Sequence, residues 1–260
     1  MKKVGIVINR KKPGAERIRT FVQQALRQAG YVVSSRPEFI VALGGDGTLL
    51  SAAHLYGKKG VPILGVNIGG LGFLTDVTFD EFTETLAEIK KEKFRIEKRM
   101  VLKAILSRRS IYGLNDITVI TRVAGRVVEF SAVINDEYIC RFIADGIIVA
   151  TPTGSTAYSL ATGGPILPPD TEAILFTPIA PHTLSVRPLV LPADSEIRIQ
   201  VGKKGRAALV ADGQRSKLIR SGTTIKFRRG EYYIRLIKPL HNTFFHTLRE
   251  KMKWGGREHA

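Results

Sequence analysis

An α/β domain built on a parallel sheet, followed by a mostly antiparallel β domain, is the fold class this sequence predicts. Three observations predict it. In the first third, apolar strand-like runs alternate with segments of helical period, the signature of strand–helix–strand units. After about residue 96 the texture changes to short β-rich runs, with few stretches of helical spacing. Two glycine-rich segments follow directly on apolar runs, which puts them at the carboxyl ends of strands, where open α/β sheets bind ligands. At 260 residues the chain can bury a substantial core, in one large domain or two small ones.

Residues 4–9 read as the first buried strand, because the apolar run behind Met1-Lys2-Lys3 is far too short for a secretion leader. Ile18, Phe21, Val22, Ala25, Leu26 and Ala29 recur at helical spacing, and Gly30 is placed to end that helix. Residues 39–43 form the next strand, then Gly44-Gly45-Asp46-Gly47-Thr48 leads into a helix to about Tyr56, with Thr48 as its expected cap. Residues 61–66 are a third strand, running into Asn67-Ile68-Gly69-Gly70-Leu71-Gly72-Phe73-Leu74. Thr78 with Glu81 makes a capping box for a helix carrying Phe79, Phe82, Leu86 and Ile89 on one face. Strands follow at 100–106, 117–120, 127–134, 138–142, 147–149, 197–201, 207–210, 224–227 and 232–237. Phe244, Leu248 and Met252 mark a final helix, expected to pack back on the first domain. The domains are therefore drawn as 1–98, completed by 240–260, and 99–239.

The apolar fraction of 44% and charged fraction of 24% are those of a soluble globular protein. No apolar stretch approaches the length of a membrane span, so no membrane partner is expected. The one cysteine, Cys140, excludes an intramolecular disulfide and fits a reducing, cytoplasmic setting. A net charge of +17 suits a nucleic-acid binder, a protein that draws polyanionic small substrates, or a solvated basic surface. The basic residues are scattered (Lys2, Lys3, Arg10, Lys11, Lys12, Lys90, Lys91, Arg108, Arg109, Lys203, Lys204, Arg206) and do not alternate with stacking aromatics. That scatter favours small polyanions over nucleic acid.

Gly44, Gly45 and Gly47 leave backbone N–H groups bare at a helix N-terminus, an arrangement suited to phosphate. One carboxylate among them, Asp46, could ligand Mg²⁺, act as a general base, or simply cap an ordinary tight βα turn. Farther on, Thr151-Pro-Thr-Gly-Ser-Thr-Ala-Tyr-Ser159 groups six hydroxyls that can reach ribose or phosphate oxygens, or can serve a capped turn into a short helix. Tyr158 can stack on a flat ring. Asn115-Asp116 offers an amide and a carboxylate together, and Asp212-Gly213-Gln214 reads first as a hairpin turn. Five scattered histidines and one cysteine give no zinc spacing. His182 is set apart only by the proline-dense segment 178–188 around it.

Over most of its length the chain resembles the NAD kinases. The resemblance rests on Gly44-Gly-Asp-Gly-Thr48, the 67–74 loop, Asp145-Gly146 with residues 151–160, Gly163-Gly-Pro-Ile166 and Pro181-His-Thr-Leu-Ser-Val-Arg-Pro188. It implies a Rossmann-like N-terminal domain joined to a C-terminal β-sandwich, with NAD held where they meet. It implies that Asp46 takes the proton of the 2′-hydroxyl of the adenosine ribose, with Gly47 beside the substrate and Phe73 on the adenine side. Asn115 and Asp116 stand where the family usually has Asn-Glu gripping a ribose. Asp145 would bind the carboxamide, Thr156, Ala157, Tyr158, Ser159, Leu160 and Ala161 would line the dinucleotide, and Ala180 and Gln214 would complete the pocket. Arg126 matches a polar or basic site position, and Ile143 a position that is charged in some strictly NAD-using members. Gly44, Gly45, Gly47 and Thr48 would form the donor-phosphate loop, for ATP or inorganic polyphosphate with Mg²⁺ and with no fixed protein metal site. Dimers or tetramers are the expected assemblies. The glycine turn alone also fits a diacylglycerol- or sphingosine-type lipid kinase, and the charge alone fits a nucleic-acid-binding protein.

Overall fold

The computed structural model describes residues 2–10, 13–70, 72–107, 109–122, 127–203 and 206–254. Arg126 and Leu71, both named above, lie outside the described residues, as do Lys11, Lys12, Arg108, Lys204 and His259. The chain divides into two units, Met1–Lys98 with Tyr233–Ala260, and Arg99–Tyr232. The second crossing falls at Tyr233, where the sequence reading drew it at residue 240.

The first unit alternates strand and helix. β1 (Lys3–Ile8) is followed by α1 (Ala15–Gln28), which turns Val22, Ala25 and Leu26 inward, and Gly30 takes the left-handed conformation just past its end (φ 85°). A two-residue strand, β2 (Val32–Val33), too short to carry a sequence pattern, pairs in parallel with β1. β3 (Phe39–Gly44) is buried at every position, as a central strand covered on both faces must be. It pairs in parallel with β1 on one side and with β4 (Ile63–Asn67) on the other. Between them runs α2 (Asp46–Tyr56). Its start differs from expectation: Gly45 is the cap residue, no side chain caps it, and Thr48 lies buried within the first turn, its N–H on the Gly45 carbonyl (2.8 Å). Extended backbone at Gly45 swings the chain into the helix one residue before Asp46, so the aspartate, and not the threonine, stands at the helix entrance. β5 (Val77–Thr78) pairs with β4, and the box of Thr78 and Glu81 forms ahead of α3 (Phe82–Lys90): the Thr78 N–H donates to Glu81 Oε2 (2.8 Å) and the Glu81 N–H to Thr78 Oγ1 (3.4 Å). Val22, Leu26, Phe39, Val41, Leu43, Val66, Phe82 and Leu86 share one apolar core.

The second unit is almost all β. In chain order it holds β6 (Phe94–Leu106, from Arg99 on), β7 (Arg109–Gly113), β8 (Asp116–Thr121), β9 (Val128–Ile134), β10 (Glu137–Ala144) and β11 (Gly146–Ala150). A 3₁₀ turn at Thr153–Thr156 and the one-turn α4 (Tyr158–Ala161) come next, then β12 (Ala173–Ile179), β13 (Leu189–Pro192), β14 (Ile197–Val201), β15 (Ala207–Ala211) and β16 (Arg215–Ile219). The first part of β17 (Thr224–Pro239) closes the unit. One sheet runs β13-β12-β11-β8-β15-β16, every pair antiparallel. A second layer pairs β10, β9, β14 and β17, also antiparallel. Alternation along β9 sends Val128, Phe130, Ala132 and Ile134 to one face, where they meet Val119, Val149 and Phe176 of the other layer in a single core. That is a β-sandwich.

Residues 224–239, expected as strands at 224–227 and 232–237, form one strand of 16 residues that runs on through Gly230. Past Tyr233 it belongs to the first unit, with Leu236 and Ile237 in parallel register with Ile63 and Leu64 of β4. α5 (Phe244–Met252) follows, capped by Thr243, whose hydroxyl accepts the His246 N–H (3.2 Å), and it buries Leu248.

Candidate functional site

Two acids organise the candidate site residues, one in each unit. Within the first unit, Gly44 at the end of β3 is in register with Asn67 at the end of β4, so both glycine loops leave the sheet side by side. Asp46, in the first turn of α2, reaches across to the second loop. Its Oδ2 accepts the N–H of Phe73 (3.0 Å), while Oδ1 accepts the N–H groups of Leu74 (3.1 Å) and Thr75 (3.1 Å) and the Thr75 hydroxyl (3.0 Å). Asn67 orders the same loop by donating to Thr75 Oγ1 (3.0 Å) and to the Gly70 carbonyl (2.6 Å). Gly72 is dictated by this contact, since a Cβ there would overlap Asp46 Oδ1 and Thr75 Oγ1. The helix N-terminus adds partial positive charge beside the carboxylate. Gly47 is exposed and Phe73 half-buried.

Within the second unit, Asp212 plays the matching part. It occupies the turn between β15 and β16 in the left-handed region (φ 51°), and its carboxylate accepts three successive N–H groups, of Leu114 (2.9 Å), Asn115 (2.7 Å) and Asp116 (3.2 Å). The hairpin reading of Asp212-Gly213 is right as far as it goes. What it missed is the side chain, which fixes the Asn115-Asp116 segment from a hundred residues away. Register alone would have revealed this, since Ala211 lies opposite Ile117. The segment after β11 joins the cluster: Thr151 Oγ1 donates to the Leu114 carbonyl (2.6 Å), and Gly154 packs so close that a Cβ would overlap the Asn115 carbonyl. Asp116 is 5% exposed, and its carboxyl is pushed up from 3.8 to about 7, first by burial and then by the neighbouring Asp212 charge.

The hydroxyls of 151–159 are mostly spent on the protein itself. Ser155 exchanges bonds with Leu167 (3.2 and 3.0 Å), Thr156 donates to the Thr153 carbonyl (3.4 Å), and Ser159, fully buried, bonds Thr177 (2.9 Å). The expected hydroxyl array for ribose or phosphate thus becomes a scaffold. Three buried oxygens in this unit have no protein partner among the described residues, Asn115 Oδ1, Thr153 Oγ1 and Ser195 Oγ, and the first two belong to the segments that meet where Gly154 packs on Asn115. A buried acceptor left without a partner costs free energy, so such atoms are where a ligand is best received. Thr153 was not singled out by sequence because nothing distinguishes it from the hydroxyls around it. Tyr158 is exposed, as is Ala161; Ala157 and Leu160 are half-buried.

The remaining candidates do not join this cluster. Asn115, Asp116 and the turn carrying Gln214 lie at one end of the six-stranded sheet, where Ala150 pairs with Asp116. Asp145 and Ala180 lie at the other end, where Gly146 pairs with Ile120 and Ile179. Asp145 is tied there by its carbonyl to the Thr121 N–H (2.8 Å) and by its N–H to the Ile179 carbonyl (3.0 Å). Ala180 adopts the left-handed conformation (φ 44°), rare for alanine. Ile143 sits on β10, lining a cavity of about 770 Å³ with Glu129, Tyr138 and Arg141, and its carbonyl holds the His182 N–H (2.9 Å). Among the described residues no group of three or more His, Cys, Asp and Glu could hold a metal ion.

Comparison with known proteins decides what this geometry belongs to. Residues 34–94 match the ATP-NAD kinase N-terminal domain, and residues 114–239 match the ATP-NAD kinase C-terminal domain. An NAD kinase of Heliobacterium modesticaldum is 40% identical over an aligned length of 282 residues, covering 98% of this chain and 100% of that relative. The chain belongs to the NAD kinase family. An NAD kinase of Bacteroides fragilis is 42% identical over 222 residues, 84% of this chain and 77% of that relative. Among solved structures, yeast NADH kinase complexed with NADH is similar with a TM-score of 0.90 at 26% identity, covering 98% of this chain and 88% of that one. An NAD kinase from Archaeoglobus fulgidus in complex with ATP follows at 0.81 and 26%, covering 98% and 100%. Membership of the NAD kinase family makes this chain an enzyme and favours that reading over the lipid-kinase and nucleic-acid alternatives. The Rossmann-like and β-sandwich units are the family's fold, and among the described residues no helix is long and apolar enough to cross a membrane.

Proposed function

We propose that this protein transfers a phosphoryl group from ATP to the 2′-hydroxyl of the adenosine ribose of NAD, forming NADP, with Asp46 as the general base. The observation that carries the reading is the Asp46 clamp, a carboxylate held by four donors at a helix entrance in a chain that matches NAD kinases from end to end. Oδ1 takes three of those donors and Oδ2 only one, so Oδ2 keeps a lone pair for the incoming hydroxyl. A ribose hydroxyl is a weak acid, and a fixed acceptor within hydrogen-bond reach lowers the barrier as the O–P bond forms. Gly44, Gly45, Gly47 and Thr48 at the α2 entrance would meet the donor phosphates. Asn115 Oδ1, Thr153 Oγ1 and Asp116 would grip a ribose, with Phe73, Tyr158 and Gln214 around the dinucleotide. A divalent cation belongs to the donor as its phosphate complex. The +17 charge helps gather such polyanions.

Asp145 and Ala180 stand five residues along β11 from the Asn115 cluster, about 16 Å at ~3.3 Å per residue. In this reading they serve the dinucleotide of a second copy, so the working unit is a dimer or a larger assembly, and the site of action is the cytoplasm. Purified protein incubated with Mg²⁺, ATP and NAD should yield NADP, detected with an NADP-specific dehydrogenase. Parallel reactions with polyphosphate and with NADH define the donor and the redox form accepted. Asp46→Asn should keep the fold and lose turnover by at least ~10²-fold. Folded wild-type protein that makes no NADP from either donor refutes the proposal.

A further inference from the structure

Lys238 is an ammonium group buried where a cation is costly, 3% exposed near the end of β17. It makes two contacts. One is an ion pair with Asp76 Oδ1 at 2.9 Å, itself 8% exposed, and the other is a hydrogen bond to the Leu74 carbonyl at 3.0 Å. That carbonyl shares its peptide unit with the Thr75 N–H, which donates to Asp46 Oδ1 at 3.1 Å. One rigid peptide plane therefore links an ammonium on one edge to the Asp46 carboxylate on the other. Asn242 steadies the far side of the link by donating to the Asp76 carbonyl (2.8 Å). All these residues belong to the first unit.

We propose that Lys238 is a positioning residue for the reaction, orienting and polarising the Leu74–Thr75 peptide so that the second glycine loop holds the Asp46 carboxylate in its working rotamer. The proposal rests on the reading of Asp46 as base. A cation on the carbonyl fixes the direction of the peptide plane and strengthens its N–H as a donor, because hydrogen bonds in a chain polarise one another. A plain buried ion pair would need only Asp76. The bond to Leu74 gives Lys238 a line to the carboxylate that Asp76 does not have.

The two roles separate by variant. Lys238→Met leaves Asp76 buried and unpaired, so it loses thermal stability along with turnover. Asp76→Asn combined with Lys238→Met removes both charges, and stability returns toward wild type because neither buried ion is left alone. The peptide is still untethered in the double variant. Its kcat is expected to stay down by about 10- to 10²-fold, with KM for NAD and ATP within about twofold, the pattern of a displaced catalytic group. Placed in an Asp46→Asn background, the same pair of changes should cost no further turnover, since the group they position is gone. Recovery of kcat in the double variant along with its melting temperature overturns the proposal and reduces Lys238 to a structural role. Turnover by Asp46→Asn close to wild type overturns the reading of Asp46 instead, and the positioning proposal with it, so the two failures are told apart by the Asp46 variant alone.

Discussion

Asp116 sits in an environment far from water for a carboxyl group, 5% exposed and beside Asp212. Burial and the Asp212 charge beside it raise its carboxyl to about 7, so near neutrality it changes from hydrogen-bond donor to acceptor. The folded protein therefore holds this proton more tightly than the unfolded chain does. Stability from the group is full below the unfolded value of 3.8 and is lost as pH rises toward about 7, with no further change above. Asparagine has no such penalty. The melting temperature of Asp116→Asn, compared with wild type in a pH series from about 4 to about 8, should gain steadily as pH rises and then level off. A constant difference across the series would mean that Asp116 ionises as it does in water. The residue scale was partly legible in the sequence: Asp46 stood out because glycines surround it, and Asn115-Asp116 because two polar groups adjoin. Asp212 stood out only as a turn residue, and Thr153 and Lys238 not at all, because Asp212 and Lys238 take their meaning from partners far along the chain, at Asn115 and Leu74, and Thr153 from a buried hydroxyl that no described residue satisfies.

At the scale of elements, the second glycine loop and α2 are one device. Gly72 lies against the first turn of α2, where a methyl group would strike Asp46 Oδ1. Gly72→Ala should keep the circular dichroism spectrum and lower kcat by about 10²-fold, since misplacing a reacting group by an ångström has that order of effect. An alanine variant with wild-type kcat would mean the clamp is dispensable. Helices and strands of the first unit could be read because their apolar periods, 3.6 and 2, differ plainly. The errors came at ends and joins, and in the second unit, where β7, β12, β13 and β16 have no counterpart among the strands expected from sequence. Thr48 looked like a cap by residue type, yet the chain enters α2 earlier, at Gly45. β17 was expected as two strands, at 224–227 and 232–237, and its pairing with β14, β6 and β4 makes it one. The hydroxyl-rich segment could be recognised as special, but whether its oxygens face a ligand or the backbone depends on what folds over it. Ser155 and Ser159 face Leu167 and Thr177.

At the scale of the whole molecule, the assigned residues of the second unit fall at two ends of one sheet. If Asp145 serves a second copy, chains defective in different residues can complement one another. Coexpressed Asp46→Asn and Asp145→Ala chains should regain activity that neither shows alone, up to about a quarter of wild type if twofold dimers form at random. Absence of recovery, with mixed dimers demonstrated by mass, would return Asp145 to its own chain. By itself the sequence determined the alternation of strand and helix in the first unit, the α/β-then-β division and the family, because periodicity and short motifs are local properties. Only the tertiary structure decided which partners the acids have. Asp46 holds residues 73–75, Asp212 holds residues 114–116, and Lys238 holds Leu74, and such contacts are set by strand register and burial across long stretches of chain, which no local pattern encodes.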